Sequence, residues 1–229
     1  MPRSLRLQIA LTACCTVLAG IKAGPAEQPQ PASEAYVYSH NFGGGVEMQW
    51  KIVDDNSKIQ IKLQAPASGW IGVGFNKASE RGDKMQDADL AIAWLDEDGG
   101  DHISDRIGSA GNKYPPEDAG GSDFQMLSMT KSSSAMVLEL KRCIHTSSEE
   151  DLAITKGDMR VLWAYHKNIV PPDAVDIKKH TKKGSALIEL IKDDQEINLK
   201  CGACKLLSNV GLFALLPLTL LHLFKNLSS

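Results

Sequence analysis

Six histidines, seven methionines and five cysteines are the residues of this 229-residue chain whose types could support redox or metal chemistry. No two histidines are adjacent, and none lies in the His-Glu-x-x-His pattern that binds zinc. The chain also lacks a Gly-x-Ser-x-Gly nucleophile, a P-loop and a dinucleotide-binding fingerprint. Because no catalytic signature is present, single residues that could donate to a metal are the remaining candidates for chemistry.

Met85 stands in an unusual place for a core residue. It lies among glycine and charged residues in segment 82–89 (GDKMQDAD), directly before an apolar run. A thioether paired with an imidazole gives the Met/His axial ligation of haem iron, which raises the reduction potential. The other interpretation is a half-buried methionine that fills a gap in the core. Spacing alone leaves both interpretations open.

Two groups of acidic residues could suggest calcium. Neither group has the spacing of an EF-hand loop, so we predict solvated loops rather than a calcium site. The first group is Asp83, Asp87 and Asp89, and the second is Asp96, Glu97 and Asp98.

The first 34 residues have the composition of a targeting segment followed by a linker. Residues 1–23 combine basic Arg3 and Arg6 with an apolar stretch and small residues, which is typical of a secretory signal peptide. Residues 24–34 (GPAEQPQPASE) are rich in proline and predict an unstructured lead-in. The mature protein is therefore expected to enter the secretory pathway.

A second apolar run closes the chain at residues 210–229, after a linker or anchor-site region at 196–209. This run suits the discarded tail of a glycolipid (GPI) anchor signal, with small residues Gly202 and Ala203 at a suitable distance. The alternative is a single membrane-spanning tail helix beginning near Leu206. Either interpretation tethers the protein to the extracellular face of the plasma membrane.

Removal of both ends changes the charge of the protein. The whole chain carries a net charge of -3, and the two ends would take five basic residues with them. The remaining domain would hold 20 basic and 28 acidic residues, a net charge of −8. Such an acidic surface argues against nucleic acid as a partner.

The cysteines predict a disulfide in an oxidising compartment. Cys14 and Cys15 would leave with the signal peptide, so that Cys143, Cys201 and Cys204 remain. If the anchor is attached near Gly202, Cys204 is discarded and Cys143–Cys201 is the pair that is left. A local Cys201–Cys204 bridge is the alternative.

The middle of the chain, residues 35–195, predicts one all-β domain. Some segments alternate apolar and polar residues with period two, while others are continuously apolar, as in strands covered on both faces. Turn signals such as Asp-Asp-Asn and Asp-Gly-Gly separate them. Eight to ten short strands with this spacing indicate a two-sheet, immunoglobulin-like β-sandwich. The clearest segments are 57–65, 69–76, 88–95, 135–141 and 159–166.

Two motifs carry a family resemblance. Residues 69–76 (GWIGVGFN), followed by residues 85–94 (MQDADLAIAW), resemble the DOMON domain, an extracellular β-sandwich. It occurs in copper monooxygenases related to dopamine β-hydroxylase and in haem-binding cytochrome domains. More of the chain is similar to the monooxygenase branch of this family. The further similar positions are Asp105-Arg106, residues 123–127, Arg142-Cys143, Asp151-Leu152, residues 161–165, His180 and Gly184-Ser185.

The resemblance implies candidate ligands for a b-type haem. In haem-binding DOMON domains one iron ligand is a methionine at the position that Met85 matches. The other is a histidine in the loop before the last strand, which His180 matches best, with His166 as the rival. Trp70 and Phe75, near strand ends, are expected to line the haem pocket. The function implied is one-electron transfer with an unidentified redox or protein partner.

The departures from the monooxygenases are equally informative. Those enzymes carry further domains rich in histidine pairs, whereas this chain has six histidines and no adjacent pair. We therefore expect no copper site and no hydroxylase activity from this chain alone. The alternatives to haem binding are a module that binds carbohydrate or protein, for ligand recognition or adhesion, and an accessory protein to a separate copper monooxygenase.

Overall fold

Ten β-strands form where the sequence alternates or is continuously apolar. The computed structural model describes residues 35–201, apart from residues 81, 83, 112, 147, 149 and 150. The signal peptide, the lead-in, the anchor-site residues beyond Cys201 and the apolar tail lie outside the described residues. The described part of the chain contains no helix with the length and apolarity that crossing a bilayer requires.

The strands have the lengths usual for a sandwich. In chain order they are β1 (Tyr38–Gly43), β2 (Val46–Val53), β3 (Lys58–Ala65), β4 (Trp70–Lys77), β5 (Asp89–Leu95), β6 (Asp101–Ile107), β7 (Gln125–Lys131), β8 (Met136–Cys143), β9 (Asp158–His166) and β10 (Lys182–Glu189).

The strands pair into two five-stranded antiparallel sheets. The first sheet has the order β1-β2-β3-β8-β7, and the second has the order β10-β9-β4-β5-β6. Within the second sheet, β4 lies between β9 and β5, so Trp70 pairs with Trp94 on one side and with His166 on the other. The prediction of an all-β, two-sheet sandwich is confirmed.

The inner faces of the two sheets share one apolar core. Ile59, Ile61 and Leu63 of β3 alternate with exposed or half-buried polar residues and point into this core. From the second sheet, Ile71 and Phe75 of β4 reach the same cluster and are fully buried. Because successive side chains of a strand face opposite sides, the even-numbered residues of β4 point away from this core.

The outer face of the second sheet is also apolar. Trp70, Ile92 and Trp94 form a smaller buried cluster there, covered by Ile177 from the segment between β9 and β10. Strands β4 and β5 are therefore buried on both faces, as their continuously apolar sequences indicated.

A disulfide joins Cys143, the last residue of β8, to Cys201, with 5.8 Å between their Cα atoms. This is one of the two pairings that the sequence left open. It fastens the end of the described chain to the first sheet. A structural disulfide is typical of proteins of the secretory pathway.

A buried ion cluster connects the two sheets. The Arg142 guanidinium of β8 pairs with the Asp89 carboxylate of β5 and lies 2.9 Å from Asp123 Oδ2. It also donates to the Leu152 carbonyl at 3.1 Å. Asp89 is therefore a buried ion-pair partner. The prediction from the sequence that it belongs to a solvated loop is wrong. The partners are 53 positions apart, which is why spacing did not reveal the pair.

Asp105 of β6 is the third carboxylate of this cluster, and its pKa is raised. Carboxylate oxygens of Asp89, Asp105 and Asp123 lie within 4.8 Å of one another. Burial, together with the nearby Asp123 and Asp89, raises the pKa of Asp105 to about 8, although the Asp123 N–H donates to it. Burial also raises the pKa of Asp89, against the attraction of Arg142. Asp105 is thus mainly protonated at neutral pH.

The raised pKa of Asp105 predicts a stability that falls with rising pH. Between about pH 4 and 8 the folded Asp105 holds a proton that the unfolded chain has lost, so its contribution to the free energy of unfolding declines across that window. Asp105→Asn should reduce the decline by about 1 kcal/mol per pH unit. Guanidinium unfolding at pH 5, 6.5 and 8 measures it.

The matched control is Asp101→Asn, which removes an exposed carboxylate from the same strand. It should leave the pH dependence of the wild-type protein in place. An Asp105→Asn protein with the wild-type pH dependence would show that Asp105 is ionised in the folded state at neutral pH.

Candidate functional site

A cavity of about 770 Å³ lies on the outer face of the second sheet. Its floor is formed by β4, β5 and β9, and its walls by segments that precede β5, follow β6 and precede β10. Apolar side chains dominate the floor. The floor residues are Trp70, Gly72, Gly74, Leu90, Ile92, Leu162 and Ala164, and the wall residues include Met85, Tyr114, Ile177 and His180.

Two glycines of β4 keep the floor of the cavity low. Gly72 and Gly74 follow Trp70 on the outer face, where the alternation of the strand would otherwise place side chains. A Cβ atom at Gly72 would lie 3.0 Å from the Ala91 carbonyl oxygen, and one at Gly74 would overlap the Leu90 side chain. A larger residue at either position would therefore displace β5 and raise the floor. Both glycines are buried, and the side chains of Leu90, Ile92 and Trp70 lie close over them.

Met85 lines one wall of this cavity, in a turn that β4 holds in place. The buried Asn76 side chain donates to the carbonyls of Lys84 at 3.0 Å and of Gln86 at 2.8 Å, on either side of Met85. The Met85 carbonyl in turn accepts from the Ala88 N–H at 3.1 Å. The half-buried Met85 is therefore presented by a backbone that is hydrogen-bonded on both flanks.

His180 lines another wall of the cavity, two residues before β10. Its neighbour Thr181 donates through its N–H to the Tyr165 carbonyl at 2.9 Å, which fixes the segment to β9. Burial lowers the pKa of His180 below its ordinary 6.5, and the charges of Lys183 and Lys179 lower it further. The imidazole is consequently neutral at neutral pH, the form that can bind a metal.

The structure brings Met85, His180 and Trp70 to one cavity, but His166 and Phe75 lie elsewhere. His166, at the end of β9, is 8% exposed, and its Nδ1 accepts from the N–H groups of Asn168 at 3.2 Å and Ile169 at 2.8 Å. Phe75, expected in the pocket, packs in the core between the sheets. Its odd position on β4 gives it the same face as Ile71.

Arg106 fastens together two walls of the cavity. This fully buried side chain of β6 donates to the Pro115 carbonyl at 2.7 Å and also to the Ala174 carbonyl. The Tyr114 ring lies 4.8 Å from the guanidinium, and its hydroxyl donates to the same Ala174 oxygen at 2.9 Å. This role could not be predicted from the sequence, because it depends on segments that meet only in the fold.

Trp70 anchors the wall that carries His180. Its indole N–H donates to the Lys178 carbonyl at 3.0 Å, two residues before His180. Trp70 is thus both part of the floor and a tether for the histidine segment.

The chemistry of the cavity suits a ligand that has a large apolar body and a metal able to accept two donor groups. A thioether and a neutral imidazole face the cavity from different walls, and both are ligands for a transition metal such as haem iron. Cofactor pockets of about 300–1,000 Å³ are typical, so the volume is adequate.

Comparison with known proteins gives one family and several partial relatives. The model of the DOMON domain matches residues 43–166. The "MOXD1 homolog 2" of Drosophila melanogaster is 30% identical over 128 residues, which cover 55% of this chain and 16% of that protein. Human "DBH-like monooxygenase protein 1" is 29% identical over 110 residues, 48% of this chain and 17% of that protein. The chain thus matches about a sixth of the length of these relatives.

Two solved structures are similar at low identity. The cytochrome b domain of pyranose dehydrogenase from Coprinopsis cinerea is 18% identical, with a TM-score of 0.47 over 63% of this chain and 76% of that one. The cytochrome domain of Myriococcum thermophilum cellobiose dehydrogenase is also 18% identical, with a TM-score of 0.48 over 64% and 75%.

The role of Arg106 predicts a local effect on the His180 wall. Arg106→Gln removes the donors to Pro115 and Ala174, so amide hydrogen exchange across residues 174–180 should become faster while the sheets keep their protection. The loss of these bonds should lower the free energy of unfolding by about 3 kcal/mol. Exchange measured by mass spectrometry gives the comparison.

The matched control is Arg160→Gln, because Arg160 is another buried arginine that donates to a carbonyl, that of Ala78 at 3.2 Å. Its effect should fall near residue 78 and spare residues 174–180. If Arg106→Gln left exchange at 174–180 unchanged, Arg106 would not hold this wall.

Proposed function

The chain belongs to the DOMON domain family, and we propose that it binds one haem b in the outer cavity and serves in one-electron transfer. The observation that supports this most directly is the meeting of Met85 and His180. These residues are far apart in the sequence, and each was a candidate iron ligand before the fold was considered. They line the same cavity.

The remaining lining fits a flat, apolar macrocycle. Trp70, Leu90 and Ile92 provide an apolar surface, which lies close to β4 because Gly72 and Gly74 have no side chains. His180 is held neutral by its surroundings, so no proton has to be displaced from it at neutral pH. Met85 offers a polarisable sulfur from a different wall. His166 is the weaker candidate because its Nδ1 already accepts two backbone N–H groups.

Haem with methionine and histidine ligands supplies a single-electron couple of raised potential. Met85 and His180 would hold the haem through its iron, and a haem held by these two residues would supply one-electron chemistry. These residues therefore favour electron transfer, and we propose a redox or protein partner rather than an independent enzyme activity.

The proposed location is the extracellular face of the plasma membrane. The Cys143–Cys201 disulfide supports passage through the secretory pathway. The proposed tether, a GPI anchor or a single spanning tail, lies outside the described residues.

An absorption spectrum tests haem binding. The full chain, purified from a secreting eukaryotic host and titrated with haemin, should give a low-spin spectrum in both the ferric and the dithionite-reduced state. Met85→Ala and His180→Ala should each lose the low-spin bands, because one axial donor is missing. Each should weaken haemin binding at least about tenfold.

The controls separate ligation from general damage. Met129→Ala removes a similarly half-buried methionine on the other sheet, and His145→Ala removes an exposed histidine. Both should keep the wild-type spectrum. A protein that takes up no haemin, or a spectrum indifferent to Met85→Ala and His180→Ala, would overturn the proposal and favour a module that recognises carbohydrate or protein.

A further inference from the structure

Five lysines surround the mouth of the cavity and form what we call the lysine rim: Lys84, Lys113, Lys178, Lys179 and Lys183. All five are exposed. They come from four separate segments of the chain, namely the turn before β5, the segment after β6, the segment before β10 and β10 itself. Lys178, Lys179 and Lys183 are close to His180 in the sequence, whereas Lys84 and Lys113 are brought near only by the fold.

The rim is electrostatically unlike the rest of the chain. The full sequence is acidic, with 28 acidic against 25 basic residues, yet the described residues that line the cavity include no carboxylate. Lys178 forms an ion pair with Asp176 at 2.7 Å, just outside the lining. Cations gathered at one mouth repel one another over a screening length of about 8 Å. An anion bound at the mouth would relieve that repulsion.

The rim lies directly beside the apolar part of the cavity. Lys179 and Lys183 flank His180 in the sequence, and all three residues line the cavity with Trp70 and Ile92. The floor below is apolar, so a bound ligand must turn an apolar body inward and its anionic groups toward the rim. This division describes an amphiphilic anion whose charges lie at one edge.

We propose that the lysine rim is the carboxylate-binding subsite of the cavity, which selects a tetrapyrrole that carries free carboxylates at one edge. The inference rests on the proposed haem function for the identity of the ligand body, and it adds the recognition of the two propionates. Lysines recognise carboxylates as point charges and do not require one fixed geometry, which suits groups on flexible side chains.

Metal-free protoporphyrin IX and its dimethyl ester test the rim without iron. Fluorescence titration of the full chain should show the diacid binding at least about tenfold more tightly than the ester, because only the diacid offers anions. Raising the salt concentration should weaken binding of the diacid and leave the ester unaffected. Lys113→Gln and Lys183→Gln should each weaken binding of the diacid by about fivefold and leave the affinity for the ester unchanged.

The control is Lys131→Gln, an exposed lysine at the end of β7 on the other sheet, which should leave both affinities unchanged. Equal binding of diacid and ester, no binding of either, or full diacid affinity in the Lys113→Gln/Lys183→Gln double variant would overturn the rim proposal.

Iron ligation is tested separately by haemin spectra of the Met85 and His180 variants. Loss of ester discrimination with an intact Met/His-dependent spectrum would overturn only the rim. Retained discrimination with a spectrum indifferent to both residues would overturn only the proposed haem ligation.

Discussion

Strand β4 is buried on both of its faces, and this constraint determines where a ligand can bind. Its odd-numbered side chains complete the core between the sheets, and this core stabilises the sandwich. Its even-numbered positions face outward, where Trp70 is followed by two glycines. No described helix covers this outer face, so loops must do so. The space between these loops and the outer face of the sheet is the cavity.

Two buried arginines connect parts of the structure that lie on different sides of this strand arrangement. Arg142 connects β8 of one sheet to Asp89 of the other, and Arg106 connects the two walls that flank the cavity. A buried guanidinium is costly unless its donors are used. In both cases carbonyl or carboxylate oxygens from distant segments accept from it. Each arginine therefore makes the position of one segment depend on that of another, and Arg106 does so for the segment that ends in His180.

The sequence predicted the fold class because period-two alternation in β3 and β8 directly reflects one buried face. It also named Met85 and His180, through an unusual position and a family resemblance. Phe75 was assigned to the wrong face, because a strand that is apolar on both sides gives no pattern from which to read its inward side. The roles of Asp89, Arg106 and Arg142 could not be predicted, since each depends on partners that only the tertiary structure brings near. Three lysines of the rim are near His180 in the sequence, but Lys84 and Lys113 join them only in the fold.

We propose that Met85 and His180 together hold one haem iron. Iron K-edge X-ray absorption of the haem-loaded full chain tests this most directly, because sulfur and nitrogen scatter differently at the metal. If Met85 binds the iron, the first coordination shell should contain one sulfur scatterer in the wild-type protein and none in Met85→Ala. A first shell with only nitrogen or oxygen neighbours in the wild-type protein would contradict it.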